Sequence, residues 1–209
     1  MADYAPKYVS TTQMLAYLGL DASGTGGVRA RAEALLFLEL AEAQVDRFCG
    51  CSLAPASPDS AAERTFDGPG TRVLCIPPVR SITAVRLGFP SPTTLVIAGD
   101  FRDVWQYPDA NDPIHGGAVR YLRLSGEVGW TRGRGNVWVT GKWGYSPIPP
   151  PVKQAVFRMV KRLSEARDTP STVASESLAG GTVQYRSDVE LITQEEKDLL
   201  VPYQWGQLR

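Results

Sequence analysis

Asn136-Val137-Trp138-Val139-Thr140-Gly141-Lys142-Trp143, then Pro147-Ile148-Pro149-Pro150-Pro151, then Val152-Lys153-Gln154-Ala155-Val156 form the stretch on which the fold turns. Through 136–143 the apolar period is two. Val137, Val139 and Trp143 point one way and Trp138, Thr140 and Lys142 the other, the mark of a half-buried strand. Beyond the prolines the period lengthens. Val152, Ala155, Val156, Met159 and Leu163 recur at steps of three and four, the stripe of an amphipathic helix that ends before Pro170. Proline is tolerated at the opening of a helix, so one architecture ends and another begins at 147–151.

Upstream of this junction the β grammar continues. Segments 64–66, 72–76, 81–87, 95–98, 101–107 and 119–124 are short and β-prone, broken by Gly68-Pro69-Gly70 and Pro77-Pro78. Short strands at this spacing predict a small antiparallel sandwich or barrel. Residues 54–62 read as a linker. Before it, 29–48 reads as a long helix with Leu35, Leu38, Ala41, Val45 and Phe48 as its apolar stripe, Glu33, Glu39, Glu42 and Asp46 mostly off it, and Gly50 as its stop. Gly24-Thr25-Gly26-Gly27 reads as a flexible loop. It lacks the leading strand and the Lys-Ser or Lys-Thr pair of a nucleotide loop. Ser10 and Gln13 have capping-box spacing ahead of Met14, Leu15 and Leu18, with Gly19 as a stop.

Downstream, 169–182 is small and polar, a loop. Thr193 and Glu196 make another capping box before a short helix over 195–200, and an aromatic tail closes the chain. The expected fold class is α+β: a helical bundle from the N- and C-terminal segments with an inserted antiparallel β-rich domain. Its parts are 1–62 (N-terminal helices), 63–146 (β insertion), 147–200 (C-terminal helices) and 201–209 (tail). Neither helical half buries its stripe alone, which predicts that the two pack together.

Composition narrows the function. Across 209 residues Lys and Arg total 22 and Asp and Glu total 22, so the net charge is zero, whereas phosphate-gripping proteins carry a basic excess. Residues 1–62 hold four basic and seven acidic groups, 63–145 ten and seven, and 146–209 eight of each, leaving the middle mildly basic. There is no run of eighteen apolar residues to span a bilayer, and no basic-then-apolar N-terminus to act as a signal peptide. The expectation is a protein that starts life in a cytoplasm and has no membrane partner. Cys49, Cys51 and Cys75 read as reduced thiols, because Cys-Gly-Cys is not a zinc spacing and His115 is the sole imidazole. His115, near Asp112, has no Gly-x-Ser-x-Gly elbow and no metal cluster to join. No catalytic, cofactor or metal site is expected, and no enzyme.

The order of elements and their local sequence resemble the tailed-phage head-to-tail adaptor (head completion) family. The resemblance is carried by 10–20, by 41–50, by Leu74-Cys75-Ile76-Pro77-Pro78-Val79-Arg80-Ser81-Ile82-Thr83-Ala84-Val85, by 137–145 with 150–156, and by 175–180 through Tyr185 to Leu199-Leu200 and Tyr203. It covers nearly the whole chain in order, with an insertion longer than that of the smallest members. It implies a virion protein at the head-tail junction, assembled in the host cytoplasm. It also implies a ring, commonly of twelve subunits, docked beneath the portal protein, extending the DNA channel and touching DNA only non-specifically. The next partner toward the tail would be a stopper or a tail terminator. The competing readings are a carbohydrate- or receptor-binding module built on the insertion, motivated by five tryptophans, and a hydrolase with an unrecognised site.

Two candidate sites follow. Tyr203, Trp205 and Leu208 are large side chains at a terminus, and such anchors need a cover. The resemblance points to the portal or a neighbouring subunit, and folding back onto the chain's own helices is the other solution. Arg132 and Arg134, in a turn-rich Arg-Gly-Arg-Gly, read as a solvated basic hairpin, and under the resemblance as a channel-facing loop. Lys153, Arg158, Lys161 and Arg162 lie on the helix after the junction, as a solvated face or as partners for acidic groups across a ring.

Overall fold

The computed structural model describes residues 4–20, 23–56, 59–88, 93–97, 103–107, 118–126, 129–168, 175–178, 181–184 and 192–206. The protein is α+β and divides into two compact units. One comprises Met1–Phe48 and Pro150–Pro202, the other Cys49–Pro149 and Tyr203–Arg209.

In the helical unit, α1 (Thr11–Leu18) opens with the expected capping box. Gln13 N–H donates to Ser10 Oγ at 3.2 Å and Ser10 N–H to Gln13 Oε1 at 3.1 Å. Gly19 ends it at φ 67, a left-handed conformation that glycine adopts without a Cβ penalty. Helix α2 spans Gly24–Cys49 and so absorbs the Gly24-Thr25-Gly26-Gly27 stretch expected as a loop. Extending a helix by a glycine costs only about 1 kcal/mol, and Gly27, buried, is held by packing rather than propensity.

The buried stripe of α2 is Ala34, Leu38, Ala41, Val45 and Cys49, none more than 2% exposed, while Leu35 and Phe48 are half-buried. Glu42, expected off the stripe, lies within it and is fully buried. Residues 4–9 supply its donors: Lys7 N–H at 2.8 Å, Tyr8 N–H at 2.9 Å, Val9 N–H at 3.4 Å and the Tyr4 hydroxyl. Asp46 takes Lys7 Nζ at 3.0 Å and the Tyr8 hydroxyl, one turn further along.

Helix α3 (Pro150–Asp168) buries Val152, Ala155, Val156, Met159 and Val160, and its Phe157 ring meets Tyr17 of α1 at 4.7 Å. The next stretch, expected as a plain loop, contains a two-stranded antiparallel pair, β7 (Ser175–Leu178) and β8 (Gly181–Gln184) in chain order. Antiparallel pairing satisfies the main chain whatever the polarity of its side chains, which is why a polar composition hid it. Helix α4 (Gln194–Leu200) packs on α3 and runs into a 3-10 turn, Val201–Tyr203.

The other unit is one antiparallel sheet of six strands: β1 (Ala62–Gly68), β2 (Val73–Leu87), β3 (Thr93–Leu95), β4 (Val104–Tyr107), β5 (Val119–Leu124) and β6 (Gly133–Trp143). The order is β1-β6-β2-β5-β4, with β3 paired to β2. Burial along β6 follows the period of two, with Val137, Val139 and Trp143 buried and Lys142 exposed. Segments 72–76 and 81–87, expected as two strands, are one. Strand β2 runs through Pro77-Pro78, which lie in the register shift between Cys75 and Val79 against β5, where ladder N–H groups are not required. A second pair of shifts against β6, at Val79/Ser81 and Ile82/Ala84, bends the strand further. Ile76, Val79, Val85, Val104, Leu122, Val137 and Val139 all reach 0% exposure in a single core.

Candidate functional site

The C-terminal tail lands on the β unit, and the landing is built from the β6 end outward. Gly144, at φ 82, turns the chain so closely under Ala54 that an added Cβ would lie 1.9 Å from the Ala54 carbonyl oxygen. That turn lets Gly144 N–H donate to Pro78 O and Tyr145 N–H to Leu53 O, each at 2.7 Å. Tyr145 is thereby fixed and buried, at 1% exposure. Tyr203 meets it edge to face, with centroids 5.7 Å apart at 86°. Arg120, only 9% exposed on β5, donates to the Gln204 carbonyl and lies 5.9 Å from the Tyr121 ring. Trp205 N–H donates to Cys49 O at 2.8 Å, and its side chain covers Gly50.

Electrostatics at this landing follow from burial. Desolvation pushes the Tyr145 phenol well above its ordinary range, against the pull of Arg120. Tyr203 shifts the same way for the same first cause, with Arg120 again opposing. Both are neutral hydroxyls at physiological pH, so the tail is held by aromatic packing, by the Arg120 hydrogen bond to the Gln204 carbonyl and by the main-chain bond from Trp205 to Cys49.

Of the three tail residues singled out in the sequence, then, Tyr203 is half-buried against its own β unit, while Trp205 is 44% exposed. Leu208 lies outside the described residues, as do Asp112 and His115. Arg132 and Arg134 are both exposed, not in a hairpin between successive strands but at the start of β6, where Gly133 pairs with Gly68 of β1. Gly135 N–H donates to Asp67 Oδ1 at 2.7 Å, which ties this corner together.

Arg158, Lys161 and Arg162 of α3 have partners within the helical unit. Arg158 pairs with Glu195 at 2.9 Å and Lys161 with Glu165 at 3.8 Å. Arg162 grips Glu196 through two bonds, 2.8 and 2.7 Å, and Glu196 is 1% exposed. Glu196 also takes the Thr193 N–H at 2.8 Å, the capping-box contact expected there. The tryptophans divide: Trp130 and Trp143 are core residues, Trp138 is half-buried beside Arg86 at 5.9 Å, and Trp105 and Trp205 are exposed. The aromatic count that motivated a carbohydrate-binding reading is therefore largely packing. Among the described residues no helix is long and apolar enough to cross a membrane, and no group of three His, Cys, Asp or Glu side chains converges.

Sequence reasoning missed Glu42 and the exposed apolar residues of α2, namely Val28, Leu36 and Leu40. The latter had a signal: with Ala32 they step by four along a helix whose buried stripe lies elsewhere.

No protein-family model and no curated protein matches the chain. Its fold is similar to that of a solved chain in the neck of an empty GTA particle computed with C6 symmetry. The TM-score is 0.52 and the identity 15%, with 99% of this chain and 95% of that chain covered.

Proposed function

We propose that this chain is a non-enzymatic structural protein of a phage-like particle. In this reading it is a head-to-tail adaptor, forming a ring under the portal and extending the DNA channel toward a stopper or tail terminator. The observation that carries the reading is the likeness over 99% of the chain to a chain in the neck of a GTA particle, a gene transfer agent. The independent resemblance of the local sequence to head-to-tail adaptors supports the same location. A ring requires head-to-tail contacts related by rotation, and in this reading the ring has twelve subunits.

In this reading the two helical segments form one bundle into which the β unit is inserted. Trp205 and Leu208, at the outer end of the tail, meet the portal or the next subunit, while Tyr203 anchors the tail. Arg132 and Arg134 face the channel. Two exposed arginines per subunit on a chain with zero net charge give DNA a weak, sequence-independent contact that does not arrest its passage.

Electron microscopy of the purified chain, alone and mixed with its portal, tests the proposal. The expected image is an added ring coaxial with the portal on its tail-facing side. A chain that leaves portal particles unchanged at saturating concentration overturns the reading.

A further inference from the structure

Resting on the channel reading, we infer that one corner of the β unit is a phosphate-binding surface for the backbone of duplex DNA, formed by Arg72 and Arg123 together with Arg132 and Arg134. The path of the chain gathers them. Val73 pairs with Arg123 across β2 and β5, and Leu124 N–H donates to Arg72 O at 3.1 Å. Trp130 N–H donates to Thr71 O at 2.8 Å, and its indole N–H to Arg72 O at 3.1 Å. Arg132 follows two residues on, and a Cβ added at Gly70 would lie 3.4 Å from its Cβ. Buried Asn136 pins the same segment to β1, taking Gly68 N–H on Oδ1 and donating from Nδ2 to Thr131 O, each at 2.7 Å. All four arginines are exposed.

The β unit sorts its cations in space. Away from this corner, Arg80 pairs with Asp59, Arg86 pairs with Glu63, Arg64 lies over the Trp143 ring at 4.5 Å, and Arg120 donates to the Gln204 carbonyl. Among the described residues no carboxylate forms an ion pair with Arg72, Arg123, Arg132 or Arg134. The acids of these stretches are engaged by main-chain amides instead, Asp67 by Gly135 N–H at 2.7 Å and Asp103 by Val96 N–H at 2.8 Å. Like charges gathered without counter-charges repel one another, and an arriving anion relieves that repulsion.

The occupant follows from charge and composition. Guanidinium forks match phosphate oxygens two at a time. A protein partner calls for an apolar anchor inside a polar rim. Among the described residues, none of the exposed large apolar side chains belongs to 66–73 or 123–136. A regularly charged backbone needs no such anchor. Contacts of this kind read no bases and let a duplex slide, which suits a channel through which DNA passes.

Fluorescence anisotropy of a labelled random-sequence duplex, titrated with the purified chain at rising salt, tests the surface. Four neutralised phosphates predict that log K falls with log salt at a slope of about −3.6. Arg72→Ala, Arg123→Ala, Arg132→Ala and Arg134→Ala are each expected to flatten that slope by about one. The fourfold alanine variant is expected to lose at least about tenfold in affinity at low salt, and lysine at the same four positions to restore the slope. Arg31→Ala and Arg47→Ala, the same charge change at exposed positions of α2, are expected to leave it unchanged. Duplex binding that keeps its slope in the fourfold variant, or that weakens equally in the α2 controls, overturns the surface. A chain that ignores duplex and binds poly-glutamate overturns it too, and assigns the corner to an acidic protein. Ring formation is read separately by electron microscopy. Rings on the portal without duplex binding sink this inference alone, whereas duplex binding through the four arginines by a chain that adds no ring upholds it and sinks the ring reading.

Discussion

A carboxylate with no exposed surface stays in place only where donors surround it, and Glu42 shows what that requires. Three successive amides, Lys7, Tyr8 and Val9, turn toward its two oxygens and the Tyr4 hydroxyl completes the set, so one side chain fixes the path of residues 4–9. Each buried donor left unsatisfied costs about 1–3 kcal/mol. Glu42→Ala is therefore expected to lower the unfolding free energy by about 3 kcal/mol, read as a drop in urea midpoint, and to raise hydrogen exchange at 7–9. Unchanged exchange at those amides would show the segment to be held by something else. Tyr145 makes a different prediction. Burial raises its phenol pKa in the fold, so the unfolded chain ionises first, near pH ~10. The stabilising contribution is then complete below that pH and is lost as pH climbs through the folded value. Urea midpoints are expected to fall above about pH 10, with a shallower fall for Tyr145→Phe. A profile identical in the two proteins refutes the assignment.

At the level of elements, turns that share a positive φ differ in what surrounds them. Gly19 and Gly144 sit at φ 67 and 82, yet nothing lies within 4 Å of a Cβ at Gly19, while one at Gly144 collides with the Ala54 carbonyl. Gly19→Ala is expected to cost only the left-handed penalty, about 1 kcal/mol. Gly144→Ala forces β6 and the 53–55 segment apart and is expected to cost at least about 3 kcal/mol, a ranking that paired thermal melts decide. The same contrast explains what the sequence could show. The alternation of β6 and the three-four stripe of α3 were legible because burial there depends on neighbours along the chain. The continuity of β2 through Pro77-Pro78 was not, because a missing N–H matters only if a partner strand needs it, and the bulge against β5 decides that. Glu42 was hidden for a similar reason, since its donors lie 33 to 38 residues away. The tail's large side chains called for a cover, but its composition carried no trace of the Tyr145 ring that Tyr203 meets.

For the whole molecule, the tail's landing changes how its proposed role is measured. Removing Tyr203–Arg209 takes away the Tyr203 ring from Tyr145 and the Gln204 carbonyl from buried Arg120, so weaker portal binding by such a truncation would mix lost contact with a loosened β unit. Single substitutions separate the two. Tyr203→Ala is expected to destabilise by about 1–2 kcal/mol, the value of a half-buried aromatic and one ring pair. Trp205→Ala touches an indole already 44% exposed, while its N–H to Cys49 O bond is main chain and survives. It is expected to cost under about 1 kcal/mol of stability and, if the outer tail meets a partner, to weaken capture by the portal or the neighbouring subunit at least tenfold. An exposed aromatic at the centre of an interface is the residue type whose truncation does that. The informative comparison is therefore Trp205→Ala against Tyr203→Ala in one portal-binding titration. A Trp205→Ala chain that binds as wild type does, while Tyr203→Ala melts early, would make the tail a strap for its own β unit and nothing more.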